Sequence, residues 1–284
     1  MRARCPASSA NLGPGFDALA LALSLYVEVD VSPSEELSIL SAGEGAEYAT
    51  DANHLAARVV RDVCGHDRVT IKIHSEIPVG RGLGSSAALA AATAAACGDP
   101  DPLAVAARFD GHPENAAASV LGGLVAATIV GGAPVAERLP LDQELAFVLL
   151  VPDRELSTAT ARSVLPSSVS LDDAVSNLGR MGLLIAGLAD RFRLHAAAGE
   201  DRLHQPVRAG MFPEADGLML SLREAGATVT CWSGAGPSLL AICTSLPTAA
   251  HVRDRGETAL DESGIAGTAL LVEADLGGLV SEES

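Results

Sequence analysis

The chain is short of lysine, aromatic side chains and positive charge, and each shortage closes a line of interpretation. Lys72 is the sole lysine in 284 residues. A Walker A loop, G-x-x-x-x-G-K-[ST], needs a lysine beside its second glycine, so that nucleotide-binding device is excluded. Lys72 itself falls on the polar side of an alternating segment and reads as solvated. Aromatic residues make up 3% of the chain, too few for a platform that stacks nucleobases. Acidic side chains outnumber basic ones 36 to 19, for a net charge of −17. That balance argues against nucleic acid as a partner, because phosphate neutralisation needs a basic footprint. It leaves a phosphorylated small molecule open, provided that the site is made locally positive by arginine, Mg²⁺ or backbone N–H groups.

Cysteine is scarce and unpaired in pattern. Cys5, Cys64, Cys97, Cys231 and Cys243 are odd in number and form no C-x-x-C. Reduced core thiols in a cytoplasmic protein are expected. No apolar leader follows Met1–Arg4. One uncharged stretch, Ala116–Val135, approaches bilayer length. It holds Gly122-Gly123 and Gly131-Gly132 and lacks flanking aromatic anchors, so a buried helix followed by a strand is expected, with no membrane partner.

What the chain does have is apolar bulk, 48% of residues, enough for one large domain or two modest ones. In the first half, Leu25–Val31 and Val69–Ile77 alternate and predict strands. Asp51 or Asn53 is positioned to cap a helix that ends at Cys64-Gly65. Ala87–Cys97 predicts an alanine-rich helix stopped by Gly98-Asp99-Pro100. Helices near 102–109 and 113–121 and a strand near 124–130 follow. In the second half, Leu145–Val151 fits a central strand. Ser170-x-x-Asp173 predicts a capping box for a long helix. Pro213 and Gly226 bracket another helix, followed by strands near 227–232 and 238–243, a helix near 248–262 and a strand near 267–273. That order predicts a split β-α-β arrangement, with the boundary between halves near residue 145.

The most informative segment is Pro78-Val79-Gly80-Arg81-Gly82-Leu83-Gly84-Ser85-Ser86-Ala87-Ala88. It leaves a predicted strand and opens a predicted helix. Alternating glycines let the backbone turn tightly and approach a ligand with no Cβ in the way. The helix start offers free N–H groups and a positive dipole end. Together these make an anion site suited to a triphosphate. Ser85 and Ser86 add hydroxyls for phosphate or Mg²⁺, and Arg81 stands at the mouth. A glycine turn with a serine N-cap is the plainer alternative. A dinucleotide site fits less well, since the spacing is G-x-G-x-G.

This loop resembles the P-x-x-x-G-L-G-S-S-A-A signature of the GHMP small-molecule kinases. Two further segments carry the same resemblance in order: Pro6-Ala7-Ser8-Ser9-Ala10-Asn11-Leu12-Gly13-Pro14-Gly15-Phe16-Asp17, and Ser233-Gly234-Ala235-Gly236-Pro237-Ser238. Within that family the first segment is similar to the homoserine kinases. So are Asp110-Gly111-His112-Pro113-Glu114-Asn115 (the family pattern is E-G-H-P-D-N), Thr158-Ala159-Thr160-Ala161-Arg162 and Leu203-His204-Gln205-Pro206-x-Arg208.

The resemblance implies an α+β fold of two domains. Residues 1–145 would form an ATP-binding domain like ribosomal protein S5 domain 2, and residues 146–284 a ferredoxin-like domain. It implies MgATP-dependent phosphorylation of L-homoserine in threonine biosynthesis, and a homodimer. Residues 78–88 and Asn53 would contact ATP. Ser86 and Asp110 would hold Mg²⁺, with Asp110 standing one methylene short of the family's glutamate. Asn11 and Asp17 would bind the substrate ammonium, Arg162 and Arg208 its carboxylate, and Thr158 would line its pocket. Asn115 would steady the γ-phosphoryl group or the hydroxyl, with His112 behind it. Plainer alternatives stand beside these: Asx-turns for Asn11 and Asp17, surface ion pairs for the arginines, helix caps for Asn53 and Asp110, and a simple hairpin for 233–238. A kinase of other specificity, or a silent ligand-binding relative, is the alternative to the activity.

Overall fold

The computed structural model describes residues 1–282. The first sheet has seven strands among the described residues. They are β1 (Arg2–Ala10), β2 (Leu19–Pro33), β3 (Ser38–Gly43), β4 (Val69–Ser75), β5 (Leu124–Val130), β6 (Ala133–Leu139) and β11 (Val280–Glu282). The main path runs β11-β1-β2-β4-β3. β2 is long enough to serve two neighbours on one edge: Leu19–Leu21 pairs with β5, and Val27–Pro33 with β4. Helices α1 (Leu55–Cys64), α2 (Ser85–Ala96), α3 (Pro102–Asp110) and α4 (Pro113–Leu121) belong to this half.

The central helix of this half is α2. Ala87, Ala88 and every residue from Ala90 to Ala96 are buried, and side chains that are all alanine save Thr93, whose hydroxyl turns back to the Leu89 carbonyl, let the helix sit against β1, β2 and its three neighbouring helices at once. It begins at Ser85, two residues earlier than the alanine run suggests, with Gly84 at the cap in the left-handed region and no side-chain cap. The cap of α1 is His54, whose Nδ1 accepts from Ala56 N–H, rather than Asp51 or Asn53. Asp51 instead accepts from the Asn53 amide in the preceding turn.

The second sheet holds β7 (Ala146–Pro152), β8 (Val229–Trp232), β9 (Leu239–Cys243) and β10 (Gly267–Val272), in the antiparallel order β10-β7-β9-β8. With the intervening helices this is the ferredoxin-like order expected for this half. Helices α8 (Ala215–Glu224) and α9 (Leu246–Glu262) cover one face, around Val148, Leu150, Trp232 and Val252. On the other face Phe147, Leu149 and Val151 join Leu184 and Leu188 of α6 (Leu171–Ala189) in the core of the first half. Burial on both faces explains why β7 reads as an unbroken apolar run. The short helices α5 (Thr158–Ser163) and α7 (Gln205–Arg208) lie between β7 and β8 in the chain.

The sheets change between β6 and β7, around residue 145. The expected second unit, 146–284, is not wholly separate, however: β11 crosses back and pairs Glu282 with Arg2 in the first sheet. Among the described residues no helix is long and apolar enough to cross a membrane, and the Ala116–Val135 stretch forms the end of α4, all of β5 and the start of β6. The five cysteines are free, with Cys5, Cys231 and Cys243 buried.

Candidate active site

The glycine loop lies between β4 and α2, with Gly80, Gly82 and Gly84 at φ 68°, 74° and 65°. Its carbonyls are taken up by the surrounding protein. Leu156 N–H donates to Gly80, Ser238 N–H to Arg81, the Ser233 hydroxyl to Gly82 and Ser8 N–H to Leu83. The first-turn amides of α2 have no carbonyl partner within the helix, so the dipole end faces the loop and can receive a ligand. The turn 233–238 does join two adjacent strands as a hairpin, and it also clamps the loop: a Cβ on Gly82 would meet the Ser233 carbonyl at 2.2 Å.

One cavity of about 150 Å³ gathers Pro78, Val79, Gly80, Gly82, Leu83, Gly84, Ser85 and Ser86 with Asn11, Asp17, Asp110, His112, Asn115, Thr158, Arg162 and Arg208. Three expected loop contacts stay outside it. Arg81 turns toward Glu155, 3.9 Å away, and Ala87 and Ala88 are buried beneath the loop. Asn53 lines a second, largely apolar cavity of about 420 Å³ with Val27, Tyr48, Ile73 and Leu89. The two cavities share Val79, Ser85 and Ser86, so an elongated ligand with a flat apolar end and a polyanionic end would span both.

The polar groups form connected chains. Arg162 Nη2 donates to Asp17 Oδ1 at 2.6 Å, and Arg162 Nε donates to His112 Nε2 at 2.8 Å. Nε2 is therefore the bare nitrogen, and Nδ1–H donates to the Asp110 carbonyl at 2.9 Å. Thus Asp17 and Arg162, expected at opposite ends of a substrate, are partners of each other. Asn11 is also engaged: its amide donates to the Gly234 carbonyl at 2.8 Å and accepts from Asp17 N–H at 3.0 Å. Both Asn11 and Asp17 have positive φ, 71° and 53°, as does the buried Leu12 at 50°. A non-glycine turn of this kind is held by its surroundings, and here it sets the Asp17 carboxylate beside Arg162. Asn115 Oδ1 accepts from the Ser8 hydroxyl at 2.9 Å, which joins α4 to β1 beneath the loop.

Sequence reasoning passed over Glu114. It stands in the first turn of α4, where an acidic residue reads as an ordinary helix start. In the structure it is 1% exposed and its Oε2 has no hydrogen-bond partner. Burial, with Asp17 and Asp110 adding like charge, pushes its carboxyl up to about 7. The folded value lies above the unfolded one, so the fold favours the protonated acid. Stability from this group is present below the unfolded value and is lost as pH rises toward 7. Between pH 5 and 8 the ligand-free protein is expected to lose on the order of 3 kcal/mol through Glu114. Glu114→Gln removes that loss, which urea unfolding of both proteins at the two pH values would measure; equal pH dependence would show that Glu114 ionises freely.

Two family models divide the chain: the GHMP kinases N terminal domain matches residues 47–123, and the GHMP kinases C terminal model matches residues 181–261. The chain belongs to the GHMP kinase family. The family model and the curated relatives together make it an ATP-dependent phosphotransferase acting on a hydroxyl group. Among curated relatives, a homoserine kinase of Solibacter usitatus is 44% identical over 255 residues, covering 84% of this chain and 83% of the relative. A homoserine kinase of Streptomyces avermitilis is 43% identical over 260 residues, 85% of each. Among solved GHMP kinase structures, the homoserine kinase from Cytophaga hutchinsonii superposes with a TM-score of 0.86 at 25% identity, covering 99% of this chain and 96% of that one. The Leishmania major mevalonate kinase shares the fold, with a TM-score of 0.73 at 15% identity.

Proposed function

We infer that the protein phosphorylates the side-chain hydroxyl of L-homoserine with MgATP, giving O-phospho-L-homoserine in threonine biosynthesis. The observation that carries this reading is the placement of Asp17, Arg162 and Arg208 in the cavity that also receives the start of α2. A carboxylate and two guanidiniums match the ammonium and carboxylate of an amino acid. A hydroxy acid such as mevalonate brings no ammonium to displace Arg162 from Asp17, and a sugar brings no carboxylate to the buried Arg208. The similarity to curated homoserine kinases supports the same choice.

In this reading the substrate replaces the Asp17–Arg162 pair with its own charges. Its ammonium takes Asp17, and its carboxylate takes Arg208 with Arg162. Asn11 fixes the Asp17 backbone. Asn115, held by Ser8, faces the γ-phosphoryl group, and Thr158 closes the side of the pocket. The base and ribose of ATP occupy the apolar cavity beside Asn53.

The residues present fit Mg²⁺. Glu114 Oε2 is buried without a hydrogen-bond partner, Asp110 Oδ2 is buried with only His112 Nδ1 beside it at 3.3 Å, and Ser86 lines the same cavity. Among the described residues no group of three His, Cys, Asp or Glu side chains forms a metal cage. Mg²⁺ bound with nucleotide needs only one or two carboxylates, because phosphates and waters complete its shell. Asp110, Glu114 and Ser86 would hold it, and it would supply charge neutralisation on the transferred phosphoryl group. A loose transition state needs little help from a strong base, so positioning carries most of the rate. Cytoplasmic location and a homodimer belong to the same reading, and light scattering tests the dimer.

The test is a coupled ADP-release assay with MgATP and a panel of L-homoserine, mevalonate and galactose. Turnover with homoserine alone is expected. Release of ADP with a sugar or mevalonate and none with homoserine would overturn the assignment. Nucleotide binding without transfer to any acceptor would favour the silent-relative alternative.

A further inference from the structure

Arg208 is 2% exposed, and its neighbours determine which way its donors point. Its Nη1 donates to the Gly234 carbonyl at 3.0 Å and lies 3.0 Å from His204 Nδ1. Its Nε is buried without a partner, and the side chain lines the cavity.

The state of His204 follows from its contacts. Nε2 is 2.8 Å from the Gly13 carbonyl. A carbonyl only accepts, so Nε2 carries the hydrogen. Nδ1 of the neutral ring is then bare, and a guanidinium that only donates faces it. Asp201 does not compete for the ring. Its Oδ1 accepts from Asn177 Nδ2 and Leu203 N–H, its Oδ2 accepts from His204 N–H and Gln205 N–H, and Oδ2 stays 3.7 Å from Nε2. The imidazole is 0% exposed and stacks on Phe16 at 5.0 Å, and Phe16 also lies under Arg162 and Arg208. The charged groups facing the ring are Asp201 from its own turn, Arg208 from α7 and Asp17 from the loop before β2. Burial, reinforced by Arg208, holds His204 below the ordinary histidine range.

We propose that His204 is a positioning residue for the substrate carboxylate: the hydrogen fixed on Nε2 by Gly13 frees Nδ1 to hold Arg208, and protonation of the ring releases Arg208 and weakens substrate binding. A second hydrogen on Nδ1 would set two donors against each other at 3.0 Å. The proposal rests on the reading of Arg208 as the clamp for the amino-acid carboxylate, so its test separates the two.

Three variants and two acceptors suffice. His204→Phe keeps a ring on Phe16 and removes both nitrogens. It is expected to raise KM for L-homoserine about tenfold or more, as loss of a buried bond to a charged group does. Its kcat and its KM for ATP should stay near wild type. 3-Aminopropan-1-ol, which is homoserine without the carboxylate, should be turned over equally by wild type and His204→Phe. His204→Gln offers a donor and an acceptor that do not titrate. Because burial holds the ring below the ordinary histidine range, wild-type KM for homoserine should climb above that of His204→Gln only toward the acid end of the profile, on a background from Glu114 common to both. An unchanged homoserine KM in His204→Phe, an equal loss on both acceptors, or superimposable acid profiles for wild type and His204→Gln would overturn the proposal. If His204→Phe does not fold, the His204→Gln profile decides alone. Arg208→Met tests the underlying reading: an unchanged homoserine KM there refutes the clamp itself, whereas a raised KM with an unaffected His204→Phe refutes only the role of His204.

Discussion

Gly84→Ala is expected to lower kcat/KM for ATP by roughly a hundredfold or more while the protein still folds. Two costs combine at this residue. Its φ of 65° is left-handed, which a Cβ disfavours by about 1–2 kcal/mol. The added Cβ would also lie 1.9 Å from the Ser8 hydroxyl and 3.2 Å from Asn115 Oδ1. Ser8 cannot yield easily, because it is buried in β1 between neighbours and already bonded to Asn115 and to the Leu83 carbonyl. The loop must therefore move, and a shift of about 1 Å in groups that position a reacting phosphate is worth on the order of a hundredfold in rate. Gly65→Ala is the control. Its φ is 73°, yet nothing lies within 4 Å of the added Cβ. It should cost about 1 kcal/mol of stability and leave kcat and both KM values unchanged. Steady-state kinetics with titration of a non-hydrolysable ATP analogue measures the first variant, and urea unfolding the second. Wild-type analogue affinity in Gly84→Ala would mean that the polyphosphate does not bind the amides at the start of α2.

The parts of this site that were legible in the sequence are those where local chemistry and tertiary structure demand the same residues. The three glycines and the alanine run are such a case: the turn needs positive φ and the helix needs small side chains, and no other composition serves both. The split β-α-β order of the second sheet was legible for a similar reason, since β7 to β10 are apolar runs with helices before β8 and between β9 and β10 and a glycine turn between β8 and β9. β1 was not. It contains Pro6, which cannot donate to a ladder and sits where the register shifts, so the segment lacks the pattern of a strand even though both its edges are paired. β3 and β6 are largely exposed edge elements with little alternation to read. Within the site, residue types were legible and pairings were not. Asp17 and Arg162 are far apart in sequence, so their ion pair is a product of the fold alone. Glu114 was hidden because a first-turn glutamate has an ordinary local use, and only burial distinguishes it. His204 appeared as part of a similar segment, but its relation to Arg208 depends on Gly13, nearly two hundred residues away.

Arg208→Met separates what this site does for the fold from what it does for the substrate. The guanidinium is buried, its pKa is pulled down to about 10 by burial and then by Arg162, and no carboxylate is hydrogen-bonded to it. A charge kept in such a place is costly unless a ligand brings the counter-charge. Removing it leaves the Gly234 carbonyl satisfied by Asn11 and leaves only His204 Nδ1 without its donor. A methionine fills most of the space. The ligand-free variant is therefore expected to melt at the same temperature as wild type or higher. Its KM for L-homoserine should rise roughly a hundredfold, the loss expected when a desolvated, charge-assisted contact to a carboxylate disappears. Added homoserine should stabilise wild type against heat and leave the variant unmoved, because only ligand that binds the native state raises its melting temperature. Thermal melts with and without homoserine, beside initial-rate kinetics, test all three points. A variant that lost several degrees in the absence of ligand and kept its homoserine KM would show that Arg208 serves the interface between the two sheets, and that the carboxylate is bound by other groups.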